Sequence, residues 1–222
     1  MLLHDDMALV SCDDDALLNG SNLMLVGAEL IQFGRAERIG PARYRLSRLL
    51  RGRRGTEAAM DGHQAGEEVL LVTRDTLISL DCPAGASALS VMATSIGDAQ
   101  PVLRTCQITG RATAPLSPVQ LRTTRLTDGT WVLSWIRRSR DGWAWLDGVD
   151  APLGEETERY RLILMPDAGA TWTEESASPK LILTPAKIAS LRASGATALR
   201  WSVQQLGVTG QSLAAASRAS LT

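Results

Sequence analysis

The sequence predicts an all-β chain of two antiparallel modules: a small β-barrel-like domain over residues 1–114, followed by a two-sheet β-sandwich over residues 115–222. Three observations carry this reading. Turn signals recur at short intervals in the first half, with apolar segments of strand length between them. In the second half, three segments put large apolar residues on alternate positions, as period-two strands require. Between the halves, Gly110–Pro118 (GRATAPLSP) is a run of small residues with two prolines, the composition of a linker.

In the first module Ala8-Leu9-Val10 is apolar, Asp13-Asp14-Asp15 reads as a solvated turn, and Asn19-Gly20 reads as a hairpin turn before Leu23-Met24-Leu25-Val26. The three aspartates lack the alternating oxygen ligands, glycine and late glutamate of a calcium loop. Glu29–Phe33 and Ala42–Leu50 are expected strands, separated by Gly40-Pro41. In the second, Tyr44 and Leu46 take one face while Arg43, Arg45 and Ser47 take the other. Further strands are expected over 69–72, 75–80, 88–94 and 102–109.

In the second module Trp131, Leu133 and Trp135 share one face of a strand, as do Tyr160, Leu162 and Leu164, and then Leu199, Trp201 and Val203. Three such strands within about 100 residues are the core pattern of an immunoglobulin-like sandwich. Thr184-Pro185 through Gly195 carries an N-cap, a proline at the first helical position and a closing glycine, which predicts one short helix.

Composition narrows the functional classes. The 222 residues are 45% hydrophobic with a net charge of −1, which fits a globular chain and not a nucleic-acid-binding one. No apolar run approaches the ~18 residues of a membrane span. Met1–Asp6 lacks the positive region and apolar core of a secretion signal, so assembly in the cytoplasm is the expectation. Cys12, Cys82 and Cys106 are odd in number and widely spaced, which excludes a complete disulfide framework and any CxxC pair. No GxSxG, HExxH, P-loop or GxGxxG pattern occurs, and no catalytic, metal or cofactor site is expected.

The sharpest local signal is Leu49–Glu57, LLRGRRGTE. Gly52 and Gly55 permit positive φ or close backbone approach, and Arg51, Arg53 and Arg54 supply planar donor forks beside them. With Thr56 and Glu57 this reads as a rigid polar turn leaving an apolar strand. Around it, Arg35 to Arg54 holds many arginines against the single acid Glu37. Glu57, Asp61, Glu67 and Glu68 follow at once and no aromatics interleave, so structural or subunit-interface arginines are expected in preference to polyanion contacts. His63, in the Asp61-Gly62-His63 turn, reads as a solvated side chain.

The run formed by Glu29–Gly34, Tyr44–Ser47, Leu49–Glu57 and His63–Val72 resembles the tail-tip (host-specificity, baseplate-hub) protein of gene transfer agents and related siphophages. Trp135–Arg140 followed by Asp150–Glu156 and Tyr160 resembles the fibronectin-type-III-like segment further along the same proteins. Trp201 stands where that pattern usually has tyrosine, and Gln205 where it has an apolar residue. The resemblance implies the C-terminal portion of a longer phage tail protein, a non-enzymatic virion component at the tail tip of a particle assembled in the bacterial cytoplasm. It also implies other tail-tip subunits as partners and a homotrimeric hub in the full-length protein.

An alternative role falls on Trp143 and Trp145. The expectation is that both indoles pack under a loop or against a neighbouring subunit; the alternative is that, beside Arg137, Arg138 and Arg140, they stack on host-envelope glycan. A hydrolase would need two carboxylates facing across one cleft, and the adjacent pairs Glu155-Glu156 and Glu174-Glu175 do not provide that on a strand. The resemblance places Glu155-Glu156 in a structural loop.

Overall fold

A computed structural model describes residues 8–83, 85–140 and 150–221. The chain divides into two compact units, Met1–Ala112 and Thr113–Thr222.

The first unit begins with α1 (Asp14–Leu18), a correction to the solvated turn expected there. Asp13 is its N-cap, accepting the Ala16 N–H at 2.8 Å, and Asp14 and Asp15 occupy the first turn. Asp13 thus satisfies one orphan N–H group, and the two acids after it oppose the positive helix end. Asn19-Gly20 therefore closes this helix, with the Asn19 N–H donating to Asp15 O and the Gly20 N–H to Leu17 O. The first hairpin turn falls at Gly27-Ala28 instead, between β1 (Leu23–Val26) and β2 (Glu29–Gly40).

With β3 (Arg43–Leu50) and β4 (Val69–Leu71) these strands form an antiparallel sheet of order β3-β2-β1-β4. Leu9, Met24, Ile31 and Phe33 are buried at its core, and Ala36, Tyr44, Leu46, Val69 and Leu71 pack against them. The inward set on β2 changes phase between Phe33 and Ala36, across Gly34. On β3, Arg48 takes φ +56° at the corresponding place. As read from the sequence, Arg43, Arg45 and Ser47 face outward on β3 while Tyr44 and Leu46 are partly covered.

The strand expected over 75–80 does not form. Arg74–Thr76 is a single 3₁₀ turn, and Leu77, Ile78 and Leu80 beyond it are exposed with no strand to pair against. β5 (Ala88–Ala93) and β6 (Val102–Gln107) pair only with each other. Among its described residues this unit is thus all-β in the form of an open four-stranded sheet plus a two-stranded ribbon, without barrel closure.

Among its described residues the second unit has seven strands: β7 (Val119–Arg125), β8 (Trp131–Ile136), β9 (Tyr160–Pro166), β10 (Trp172–Ser176), β11 (Lys180–Leu183), β12 (Ala198–Gln205) and β13 (Ala215–Ser220). They form two antiparallel sheets of order β11-β8-β7 and β10-β9-β12-β13. The alternating residues picked out in the sequence fill the space between them: Trp131, Leu133, Trp135, Tyr160, Leu162, Leu164, Leu199, Trp201 and Val203 are all buried. Trp135 meets Tyr160 edge-on at 5.0 Å and lies 6.2 Å from Trp201. Such contacts add to area burial.

The helix expected after Thr184 is α2 (Pro185–Ala193), which links the two sheets. The Thr184 hydroxyl caps it, and Ile188 and Leu191 enter the core. Gln205, an unexpected polar residue for its position, is buried at the end of β12. Its backbone N–H donates to the Ser212 hydroxyl and its carbonyl accepts the Ser212 N–H, both at 2.9 Å.

Candidate functional site

The densest polar cluster in the described residues is built on the LLRGRRGTE turn. Glu29 opens β2 with its side chain fully buried. In the hairpin register Gln32 faces Leu50. The chain just past β3 is thereby brought back alongside the start of β2. Arg51 grips the Glu29 carboxylate with two bonds, Nε to Oε1 at 2.7 Å and Nη2 to Oε2 at 2.6 Å. The Gly52 N–H adds a third at 2.6 Å, and His63 Nε2 lies 2.6 Å from Oε2. The other ring nitrogen of His63 is 2.6 Å from Glu67 Oε2.

Electrostatics follow from this geometry. Burial alone pushes the Glu29 carboxyl up, but hydrogen bonds from Arg51, His63 and the Gly52 N–H outweigh it and hold the pKa at about 2. Hydrogen bonds to Glu67 and Glu29 push His63 above its ordinary value, and the His63 contact holds Glu67 below its own. The arrangement is a buried anion enclosed by cations. Its carboxylate is saturated by donors, so it fixes the backbone and is not poised to accept a substrate proton.

The rest of the motif is tied inward in the same way. Arg53 Nε donates to Gln32 Oε1 at 2.6 Å, and the Gln32 amide donates to the Leu17 and Ser21 carbonyls at 2.8 and 2.9 Å. The Thr56 hydroxyl accepts the Leu30 N–H at 3.0 Å and donates to Arg53 O at 2.8 Å. Gly52 has φ +59° and Gly55 φ +85°; a methyl group on Gly55 would run into the Arg111 carbonyl. Glu57 begins a 3₁₀ turn through Ala59, and Arg54 is exposed. On the arginine-lined face, Arg48 pairs with Asp14, and Arg45 lies 3.8 Å from Glu37.

The sequence reading placed the turn but missed Glu29, Gln32, His63 and Glu67 as its partners. His63, expected to be solvated, is clamped between two carboxylates, with its side chain 27% exposed. The available signal was a charged residue at the head of an otherwise apolar strand, opposite a turn rich in arginine.

In the second unit the three candidate arginines are anchored on the protein itself. Arg137 donates to Pro152 O and to Asp150 at 2.9 Å each, and also to Ala151 O. Arg138 Nε donates to Ser117 O at 2.8 Å, and Arg140 Nε to Ala114 O at 2.5 Å. Trp143 and Trp145 lie outside the described residues. Glu155 Oε2 accepts the Val208 N–H at 3.0 Å, so this acid ties one loop to another. Beside it is a shallow depression of about 260 Å³ lined by Glu156, Arg159, Leu206 and Val208. Glu174 and Glu175 are neighbours on β10, and Glu175 pairs with Arg159 and Arg161. Among the described residues no group of three or more His, Cys, Asp or Glu side chains could hold a metal ion.

With a three-stranded sheet packed on a four-stranded one and the strand order given above, the second unit is a fibronectin-type-III-like sandwich. In the first unit, residues 1–70, which contain the whole Glu29 cluster, match a family model described as Rcc01698-like, C-terminal. Solved structures similar to the chain include the FN5 domain of Drosophila Lar, at 12% identity over 48% of this chain and 96% of that one, with a TM-score of 0.31. Domains d3–d4 of the rat CD45 extracellular region align at 9% identity over 84% of this chain and 93% of that one, with a TM-score of 0.34. A two-domain fibronectin type-III segment from chicken tenascin aligns at 13% identity over 69% and 77%, also with a TM-score of 0.34. No curated protein matches the chain.

Proposed function

We propose that the chain is a non-enzymatic structural component of a phage-like tail tip, corresponding to the C-terminal portion of a baseplate-hub protein of a gene transfer agent or related siphophage. The observation that carries this reading is the family match over residues 1–70, whose namesake is associated with gene transfer agents. That match spans the same turn on which the sequence resemblance rests. The site chemistry agrees with it: Arg51, Arg53 and Thr56 spend their hydrogen bonds holding strands together, as a scaffold requires. In this reading the outward arginines of β3 and the exposed β5–β6 ribbon meet neighbouring tail-tip subunits, and the full-length protein forms a homotrimer at the virion tail tip.

The test is to express an affinity-tagged chain in the encoding bacterium, purify released particles and label the tag with gold. Label confined to one end of the tail supports the proposal. Particles that carry no tagged chain sink it. Light scattering of the isolated chain across a concentration series, alongside an envelope-glycan screen, separates assembly from host recognition. A monomer that binds glycan and loses it on Trp143→Ala or Trp145→Ala, without unfolding, would replace the scaffold role with a recognition role.

A further inference from the structure

We propose that His63 is a proton-operated latch: as a doubly protonated imidazolium it fastens the loop of residues 61–68 to buried Glu29, and on losing its proton it releases that loop. The geometry requires two donors on one ring. His63 Nε2 and Nδ1 each lie 2.6 Å from a carboxylate oxygen, of Glu29 and Glu67 respectively. A neutral imidazole has one N–H and one bare acceptor nitrogen. Neutral His63 can therefore keep only one of the two contacts; the other becomes a lone pair held against a carboxylate.

The contact that yields is set by the surroundings. Glu29 comes from β2, is fully buried, and keeps Arg51 and the Gly52 N–H from the end of β3 whatever His63 does. Glu67 lies on the same loop, four residues on from His63, so a neutral ring keeps its one N–H toward Glu67 as the loop moves, and the Glu29 contact is the one that yields. Asp61, whose field reaches Arg51, and Glu57, whose side chain lies beside Gly52, are further charged groups at this end of the turn. The loop itself can move: Gly62 and Gly66 flank His63, the latter at φ +92°, and neither would meet a neighbouring atom if it carried a side chain. Beyond the loop, β4 stays attached to β1, with the Gly27 N–H donating to Glu68 O at 3.0 Å and the Val72 N–H to Leu23 O at 2.8 Å. Release is thus confined to residues 61–68.

The sign follows from linkage. With the latch closed, the two carboxylates raise His63 above its ordinary value of 6.5; with it open, His63 returns to that value. The latch is tightest below pH 6.5 and loosens by about tenfold per pH unit above it, until the closed-state imidazolium has itself titrated. This behaviour belongs to the first unit alone and does not depend on the tail-tip role.

Nuclear magnetic resonance of the full chain tests the idea. There are two histidines, so the His63→Gln spectrum assigns the His63 signals. The expected result is a His63 that stays doubly protonated above the ordinary histidine range, with amide protection at 63–68 falling about tenfold per pH unit in the same window after correction for intrinsic exchange. His63→Gln abolishes that pH dependence, and Glu67→Gln moves the His63 midpoint down while β1–β4 amides stay protected. A His63 that titrates in the ordinary range or below overturns the latch, as does loop protection that does not change while His63 titrates.

Discussion

Glu29 is the residue on which the first unit turns. A carboxylate buried at the head of an apolar strand is costly unless its oxygens are saturated, and here Arg51, Gly52 and His63 saturate them. Replacing it by glutamine removes the charge that Arg51 and His63 face and leaves one acceptor oxygen for three donors, with Arg51 keeping only the Met60 carbonyl at 2.8 Å besides. Glu29→Gln is expected to cost about 3–5 kcal/mol in urea denaturation. Glu67→Gln, at a partly exposed position, should cost far less than Glu29→Gln in the same titration. The same carboxylate dictates acid behaviour. Its pKa falls from 4.5 to about 2 on folding, so its contribution is whole above pH 4.5 and drains away as pH falls toward 2. Thermal melts between pH 5 and pH 2 should show a steep loss of stability in the native chain and a shallower one in Glu29→Gln.

Between the strands, turn geometry decides what the sequence tolerates. Gly55 sits at φ +85° with the Arg111 carbonyl where a Cβ would be. A side chain there adds both backbone strain and a clash with main chain that has little freedom to move. Gly55→Ala should destabilise the first unit by about 2–3 kcal/mol, whereas Gly66→Ala, at positive φ but in open space, should carry the strain alone. Comparative denaturation of the two variants checks this, and equal losses would mean that the Arg111 contact is unimportant. In the other unit Tyr160 shows how an element end is secured. Burial and then Glu158 push its phenol up, and its hydroxyl donates to Glu158 at 2.6 Å beside Arg137. The start of β9 is thereby tied to Arg137, just past the end of β8, through Glu158.

At the scale of the molecule, each unit has its own core. The cluster around Trp131, Trp135, Tyr160, Leu162, Leu199 and Trp201 lies wholly within Thr113–Thr222. A fragment of those residues should therefore unfold cooperatively by itself, with coincident circular-dichroism and tryptophan-fluorescence transitions; a broad, probe-dependent melt would show that the core is incomplete. The first unit is less evenly built. Its core residues lie between Leu9 and Leu71, while Val91, Met92, Val102 and Leu103 on the β5–β6 ribbon remain exposed. A two-stranded ribbon is marginal in water, so its amides should exchange faster than those of the four-stranded sheet.

Much of this was legible along the chain. Period-two alternation determined the inward faces of β8, β9 and β12, because a sandwich strand buries every second side chain whatever it pairs with. Capping chemistry determined α2 through Thr184 and Pro185. Short-range rules also placed the glycine-arginine turn, since positive φ and charge density are local properties. They failed where two local readings compete. Asp13-Asp14-Asp15 serves a turn or a helix cap equally well, and Asn19-Gly20 a hairpin or a helix end. Residues 75–80 have strand composition but no partner edge. Only the tertiary structure brought Glu29, Arg51, His63 and Glu67 together, because hairpin register and the return of the chain before β4 set that meeting, and neither is a property of any one segment.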